Sequence, residues 1–303
     1  MGFRLSPEAR AAGYRLHAHD VLGSTNTEAL ERARAGEAGP LWVVAHRQSE
    51  GRGRRGLAWV SPEGNLAASL LFPIAGVAPD DVATLGFVAG LALVNALDDV
   101  AFSGWDAGSP PSCGEELEVG VAEPACAGPS GTTPTLDPSP QGGGKAPCKA
   151  NATFRLKWPN DVLANGKKLA GILLEADGRR AVVVGFGINV LAAPEGLPYA
   201  ATSLAALGCA ADAAAVLDAL SCRFVEAARI WNKGRGFSSV RQRWLQRAAG
   251  IGAPVTVRLP DRTLNGLHDG IDERGRLMIL APDGMTHTVT AGEVHFGSAA
   301  TAA

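Results

Sequence analysis

Three arginines alternate with glycines in Gln48-Ser49-Glu50-Gly51-Arg52-Gly53-Arg54-Arg55-Gly56, directly after the apolar run Leu41 to Ala45. Glycines at this density permit unusual backbone angles and close approach to a ligand. The arginines between them carry permanently charged, planar forks that match phosphate or carboxylate. The loop therefore suits an anion, although a solvated basic turn or an RNA-contacting patch would use the same residues. It is not a Walker loop, since no Gly-Lys-Ser/Thr ending follows. Gly51, Gly53 and Gly56 match the letters of a dinucleotide fingerprint, but arginine fills the gaps where backbone should meet pyrophosphate.

A second group is Leu156-Lys157-Trp158-Pro159-Asn160-Asp161-Val162. A lysine closing an apolar strand can neutralise developing negative charge, or simply extend its stem to reach water. Pro159 ends the strand, so Asn160 and Asp161 lie just beyond it, where they could position a metal or a ribose. A third is Gly185-Phe186-Gly187-Ile188-Asn189 after Val182 to Val184. Its glycines let a flat ligand press on backbone and Asn189 could read an amide or adenine edge, but alone the pattern equally fits a β-bulge. The fourth, Ser24-Thr25-Asn26, opens a helix; Thr25 is the expected cap, with Glu28 completing a capping box. Spare hydroxyl and amide groups at a helix N-terminus also suit a polar ligand head.

Alternating α and β segments are expected to carry these groups. Strands are predicted at Leu41 to Ala45, Leu66 to Phe72, Phe154 to Trp158, Leu169 to Glu175 and Ala181 to Val190. Helices are predicted at Asp80 to Leu97, Asp212 to Trp231 and Phe237 to Arg247. From Ile251 to Phe296 the texture is all-β, with short strands and turns at Asp272 to Gly275 and Pro282 to Gly284, which suits a small barrel. Between Gly104 and Ala150 lie eight of the 19 prolines and a triple glycine. That composition predicts a flexible insertion.

The 303 residues carry a net charge of −2 and a pI near 6.3, which excludes a globally basic nucleic-acid coat. Apolar stretches such as Leu66 to Ile74 are too short to span a bilayer, and Met1 to Tyr14 lacks a secretory core, so a cytoplasmic protein without membrane attachment is expected. The five cysteines include no CxxC pair, which predicts neither a zinc site nor a disulfide framework.

Taken in order, Ser24-Thr25-Asn26, the Gly/Arg loop, the Lys157 to Asp161 motif, Leu169-Ala170-Gly171-Ile172-Leu173 and Gly187-x-Asn189 resemble the biotin–protein ligases, in the monofunctional form without an N-terminal DNA-binding domain. The resemblance covers nearly all of the chain outside 104–150, including Gly292-Glu293-Val294 near the C-terminus. It implies an α/β catalytic domain of the class II aminoacyl-tRNA synthetase type, with a mixed sheet flanked by helices and a small C-terminal SH3-like barrel. The implied boundaries are a tail over 1–15, a catalytic domain over 16–249 containing the insertion, and the barrel over 250–303.

The implied activity is ATP-dependent formation of biotinyl-5′-AMP and transfer of biotin to a lysine of a biotin carboxyl carrier protein. Lipoate–protein ligase, with the same adenylation logic, is the alternative. By resemblance, Ser24, Thr25, Asn26, Gln48, Gly171 and Ile172 contact biotin. Arg52, Gly53 and Arg54 match the loop that closes over biotin and the activated intermediate, and Lys157 the lysine that meets the biotin carboxylate and the α-phosphate, with Arg52, Arg54 and Lys157 catalytic. Arg55, Trp59, Asn160 and Asn189 fall on the ATP side, Mg²⁺ accompanies ATP, and Asp161 is the candidate metal ligand. A carboxylase carrier domain is the implied partner and a homodimer is compatible. DNA binding is not expected, because only about 20 residues precede Ser24, too few for a helix-turn-helix domain. Glu50 departs from the family pattern, adding a negative charge beside the anion loop.

Overall fold

Runs rich in Val, Leu and Ala become the middle of a seven-stranded sheet, because both of its faces are covered. The computed structural model describes residues 2–102, 152–178 and 180–296; the expected insertion at 104–150 lies outside them. The strands are β1 (Arg15–Leu22), β2 (Leu41–Gln48), β3 (Leu66–Pro73), β4 (Phe154–Lys157), β5 (Asp161–Ala164), β6 (Lys167–Asp177) and β7 (Ala181–Ile188). Their order is β1-β2-β3-β7-β6-β5-β4. Only the β1–β2 pair is parallel.

Helices α1 (Pro7–Ala11), α2 (Thr25–Arg34), α3 (Pro79–Val82), α4 (Leu85–Phe102), α5 (Ala213–Trp231) and α6 (Phe237–Arg247) complete this layer. The single helix expected over Asp80 to Leu97 is two. Thr84 lies at the break, where its hydroxyl bonds Asp81 O and accepts Trp231 Nε1 at 2.7 Å. The stretch Pro79–Phe102 is long and apolar enough to cross a bilayer, but it is mostly buried, as a core helix is. The expected tail over 1–15 is also corrected. Ser6 caps α1 and its N–H donates to Ser221 Oγ of α5 at 2.9 Å, so Leu5, Ala9 and Tyr14 enter the main core.

The C-terminal strands β8 (Pro254–Arg258), β9 (Thr263–Ile271), β10 (Leu277–Leu280), β11 (Thr286–Val289) and β12 (Glu293–Phe296) form a five-stranded antiparallel sheet in the order β11-β10-β9-β8-β12. Its buried Val255, Val257, Ile271 and Leu277 join the core of the larger sheet. A turn after β9 makes the seam close. Trp158 Nε1 donates to Gly275 O at 3.0 Å. Gly275 has φ +76°, and a Cβ there would stand 2.4 Å from the Phe87 ring. The Lys157 motif is thereby tied to the C-terminal sheet.

Candidate functional site

The site assembles where α2 meets the ends of β2, β6 and β7. Ser24, not Thr25, is the cap of α2: its backbone is extended and its Oγ accepts from Thr27 N at 3.5 Å. Glu28 pairs with Arg32 at 2.7 Å instead of closing a capping box, since the i,i+4 cation lies nearer than the cap amide. Thr25, freed from capping, turns inward. Its N–H and hydroxyl both donate to Gln48 Oε1, at 2.8 and 3.0 Å. Gln48 at the end of β2 therefore presents its amide in one fixed orientation. Ser24, Thr25 and Asn26 are all buried, so their polar groups are set in place before any ligand arrives.

Gly171 on β6 and Gly187 on β7 face each other across the ladder. Together they make a flat shelf, and the Trp59 indole lies on it. A Cβ at Gly187 would stand 2.2 Å from that ring, and one at Gly171 3.3 Å. The flat group that the structure seats on these glycines is the protein's own indole. An open recess of about 280 Å³, lined by residues 47–51 and 58–62, adjoins the indole. Glu50 stands at its rim, with its amide bonded to Gly23 O at 2.8 Å. Gly187→Ala is expected to displace Trp59 without straining the backbone. Its overpacking cost of about 1–3 kcal/mol should appear as a roughly tenfold rise in ligand KM and a shift in tryptophan emission. An unchanged spectrum and KM would remove Trp59 from the site.

The Gly/Arg loop folds back on itself through Trp59 N to Gly51 O at 2.8 Å and Gly53 N to Leu57 O at 2.7 Å. Arg54 reaches Asn160 Oδ1 at 3.1 Å, and Asn160 Nδ2 bonds Ile172 O at 2.6 Å. Burial pulls the Arg54 guanidinium below its usual range, with the neighbouring Arg55 acting in the same direction. Arg55 itself is exposed, with φ 56°. Arg52 approaches Glu175 at 3.5 Å.

Two lysines stand near these arginines, and sequence reasoning singled out only one. Lys157 is half-buried, its Nζ 5.8 Å from the Phe296 ring centroid, and burial holds its amine below the usual lysine range. Lys168, at the start of β6, pairs with Asp161 at 2.7 Å. Its Nζ stands 5.7 Å from the Trp59 ring centroid and 5.2 Å from that of Tyr199. The structure thus puts Lys168 on the shelf side, beside the indole and Gly171, and Lys157 against the C-terminal sheet. No motif marked Lys168, which follows Gly166 and Lys167 seven residues beyond Asp161. Asn189, given the ATP side by the resemblance, lies buried beyond the end of β7. It is 2% exposed and its Nδ2 donates to Thr202 O at 3.1 Å, because the chain after β7 folds back over it. Ser24, Thr25, Asn26, Gln48, Arg52, Gly53, Arg54, Trp59, Asn160, Asp161, Gly171 and Ile172 are brought together around the shelf, with Lys157 opposite Asp161 in the β4–β5 ladder.

Such a site can fix a polar head group at Thr25 and Gln48, cover a flat body with an indole, and gather cations where two anions must meet. The Biotin/lipoate A/B protein ligase family model matches residues 19–190, and the Biotin protein ligase C terminal domain model matches 250–297. A biotin–[acetyl-CoA-carboxylase] ligase of Paracoccus denitrificans is 35% identical over 90% of this chain and 97% of its own length. One of Mycobacterium tuberculosis is 33% identical, covering 90% and 85%. Among solved structures, a biotin protein ligase from Aquifex aeolicus in complex with biotin and ATP superposes with a TM-score of 0.65. It is 25% identical and covers 93% of this chain and 98% of that one.

Proposed function

The chain belongs to the Biotin/lipoate A/B protein ligase family, on the biotin–[acetyl-CoA-carboxylase] ligase side, and from that premise we propose how its residues carry the reaction. It activates biotin with ATP to biotinyl-5′-AMP and transfers the biotin to a lysine of the carboxylase's carrier domain. The observation that carries this reading is the grouping of Arg54, Lys157 and Lys168 around Asp161, next to the indole-covered shelf.

In the first half-reaction the biotin carboxylate oxygen attacks the α-phosphorus of ATP and pyrophosphate leaves. Thr25 and Gln48 hold the ring head, Gly171 and Ile172 bound its body, and Trp59 beside them serves the ATP side. Arg52, Arg54 and Lys168 offset the repulsion between carboxylate and phosphate, and Lys157 adds charge from behind. No protein nucleophile is required; orientation and charge do the work. In the second half an acceptor lysine amine attacks the acyl carbon of the mixed anhydride and AMP leaves. Until then the Gly51 to Gly56 loop must exclude water.

Mg²⁺ enters this account on the nucleotide, as part of the substrate. Among the described residues no group of three His, Cys, Asp or Glu side chains could hold a resident ion. Asp161 has its charge taken up by Lys168. Asp161 is therefore better read as the lysine's partner than as one wall of a metal cage. Asn160 and Arg55 remain on the ATP side of this reading, while the burial of Asn189 suits a role in shaping the shelf. The cytoplasm is the compartment that fits, and the edge strand β1 is where a second copy would pair. The test is incubation with ATP, Mg²⁺, labelled biotin and a carboxylase carrier domain. Label on one carrier lysine is expected, and lipoate in place of biotin should give none; preference for lipoate would overturn the assignment.

A further inference from the structure

One side chain joins the head-group residues to the Gly/Arg loop and has no part in the reaction described so far: Glu175, near the end of β6. Its Oε2 accepts from Asn26 Nδ2 at 2.7 Å and lies 3.5 Å from Arg52 Nη2. Asn26 is held in turn, with its Oδ1 2.5 Å from the hydroxyl of the fully buried Ser69. Ser69 Oγ is also 2.7 Å from Thr25 Oγ1, which reaches Gln48 Oε1 at 3.0 Å. A continuous run of polar contacts thus crosses from Gln48 to Arg52. Asn26 has no room to drift, because it lies against Gly185, where a Cβ would stand 2.2 Å from its Oδ1.

The two contacts of Glu175 differ in kind. The bond from Asn26 is short and its donor residue is buried. The contact with Arg52 is long, and the Arg52 side chain is 44% exposed. An exposed pair of that sort adds little to stability. Glu175 is therefore anchored on its buried side and offers a fixed negative charge to a cation on a glycine-rich loop. We propose that Glu175 is a positioning residue for adenylation: held by Asn26, its carboxylate draws Arg52, and the loop with it, over the bound adenylate. This deepens the ligase reading and rests on it. It also gives the run from Gln48 a purpose, since ordering Thr25 and Gln48 around a head group orders Asn26 and so the carboxylate that seats Arg52.

The test follows release of labelled biotinyl-5′-AMP from the full-length enzyme, formed from biotin and MgATP without acceptor. It compares wild type, Glu175→Gln, Arg52→Ala and the double variant. Glutamine keeps an oxygen for Asn26 but removes the charge. Glu175→Gln should release the adenylate about fivefold faster, as expected for loss of an exposed pair. Its biotin KM should stay within about twofold of wild type, and it should add nothing in the Arg52→Ala background. Unchanged release, or equal acceleration with and without Arg52, would overturn the proposal, the latter by showing a purely structural effect. If Glu175→Gln does not fold, Glu175→Asp, which keeps the charge but shortens its reach, is subject to the same comparison. A wild-type enzyme that forms no adenylate would sink the ligase reading itself. Retention by wild type together with an insensitive Glu175 variant removes only the role of Glu175.

Discussion

Lys168→Ala is expected to slow biotinyl-adenylate formation about 10²- to 10³-fold, the scale seen when one preorganised donor is removed from a developing oxyanion. The ammonium is held from below by Asp161 at 2.7 Å and flanked by the Trp59 and Tyr199 rings. It reaches the shelf with its geometry already set, so its loss removes charge stabilisation. Both side chains of the pair are mostly buried, so the variant also leaves Asp161 without its cation, and its fold is checked by circular dichroism before rates are compared. Lys157→Ala, made alongside, should cost less in rate. Its amine lies toward Phe296, so part of its loss should appear as reduced thermal stability of the seam with the C-terminal sheet. Single-turnover rates at saturating biotin and ATP would rank the two variants. A larger loss for Lys157 would return the charge-stabilising role to the residue that the motif alone suggested.

Arg54→Gly should let the activated intermediate escape. Arg54 is the arginine of the loop that is partly buried and bonded across the cleft, to Asn160, which in turn bonds the Ile172 carbonyl of the shelf strand. Removing it deletes a charge-assisted contact worth about 1.5–3 kcal/mol and adds backbone freedom where the loop must close. Adenylate release should accelerate roughly 10- to 100-fold, while its formation slows less. The readout is free biotinyl-5′-AMP passing a membrane that retains the protein. Tight retention by the variant would show that the loop closes without this arginine.

Most of the catalytic layer could be read from the chain because its signals are local. Leu41 to Ala45, Ala181 to Val184 and the Phe237 to Arg247 helix are runs whose period or continuity reports burial directly. β1 escaped notice because it is an edge strand: Arg15, His17, Ala18, Asp20 and Val21 are exposed, and little apolar alternation remains. The misplaced α2 cap shows a different limit. Ser24 and Thr25 are equivalent by composition, and only the acceptor at Gln48, across the sheet, decides which of them turns inward. Lys168 and Glu175 were invisible for the same reason. Their roles come from Asp161, Trp59, Asn26 and Arg52, residues distant in sequence that the β5–β6–β7 ladder and the loop bring near. The burial of Asn189 could not be read from its motif, because the chain that covers it carries none.

The central claim is that these cations let a biotin carboxylate reach the α-phosphorus of ATP. Its most direct measurement is exchange of labelled pyrophosphate into ATP by the purified enzyme with no acceptor protein present. Exchange should depend on biotin, be absent with lipoate, and fall steeply in Lys168→Ala. Exchange that ignores biotin, or that survives undiminished without Lys168, would contradict the account.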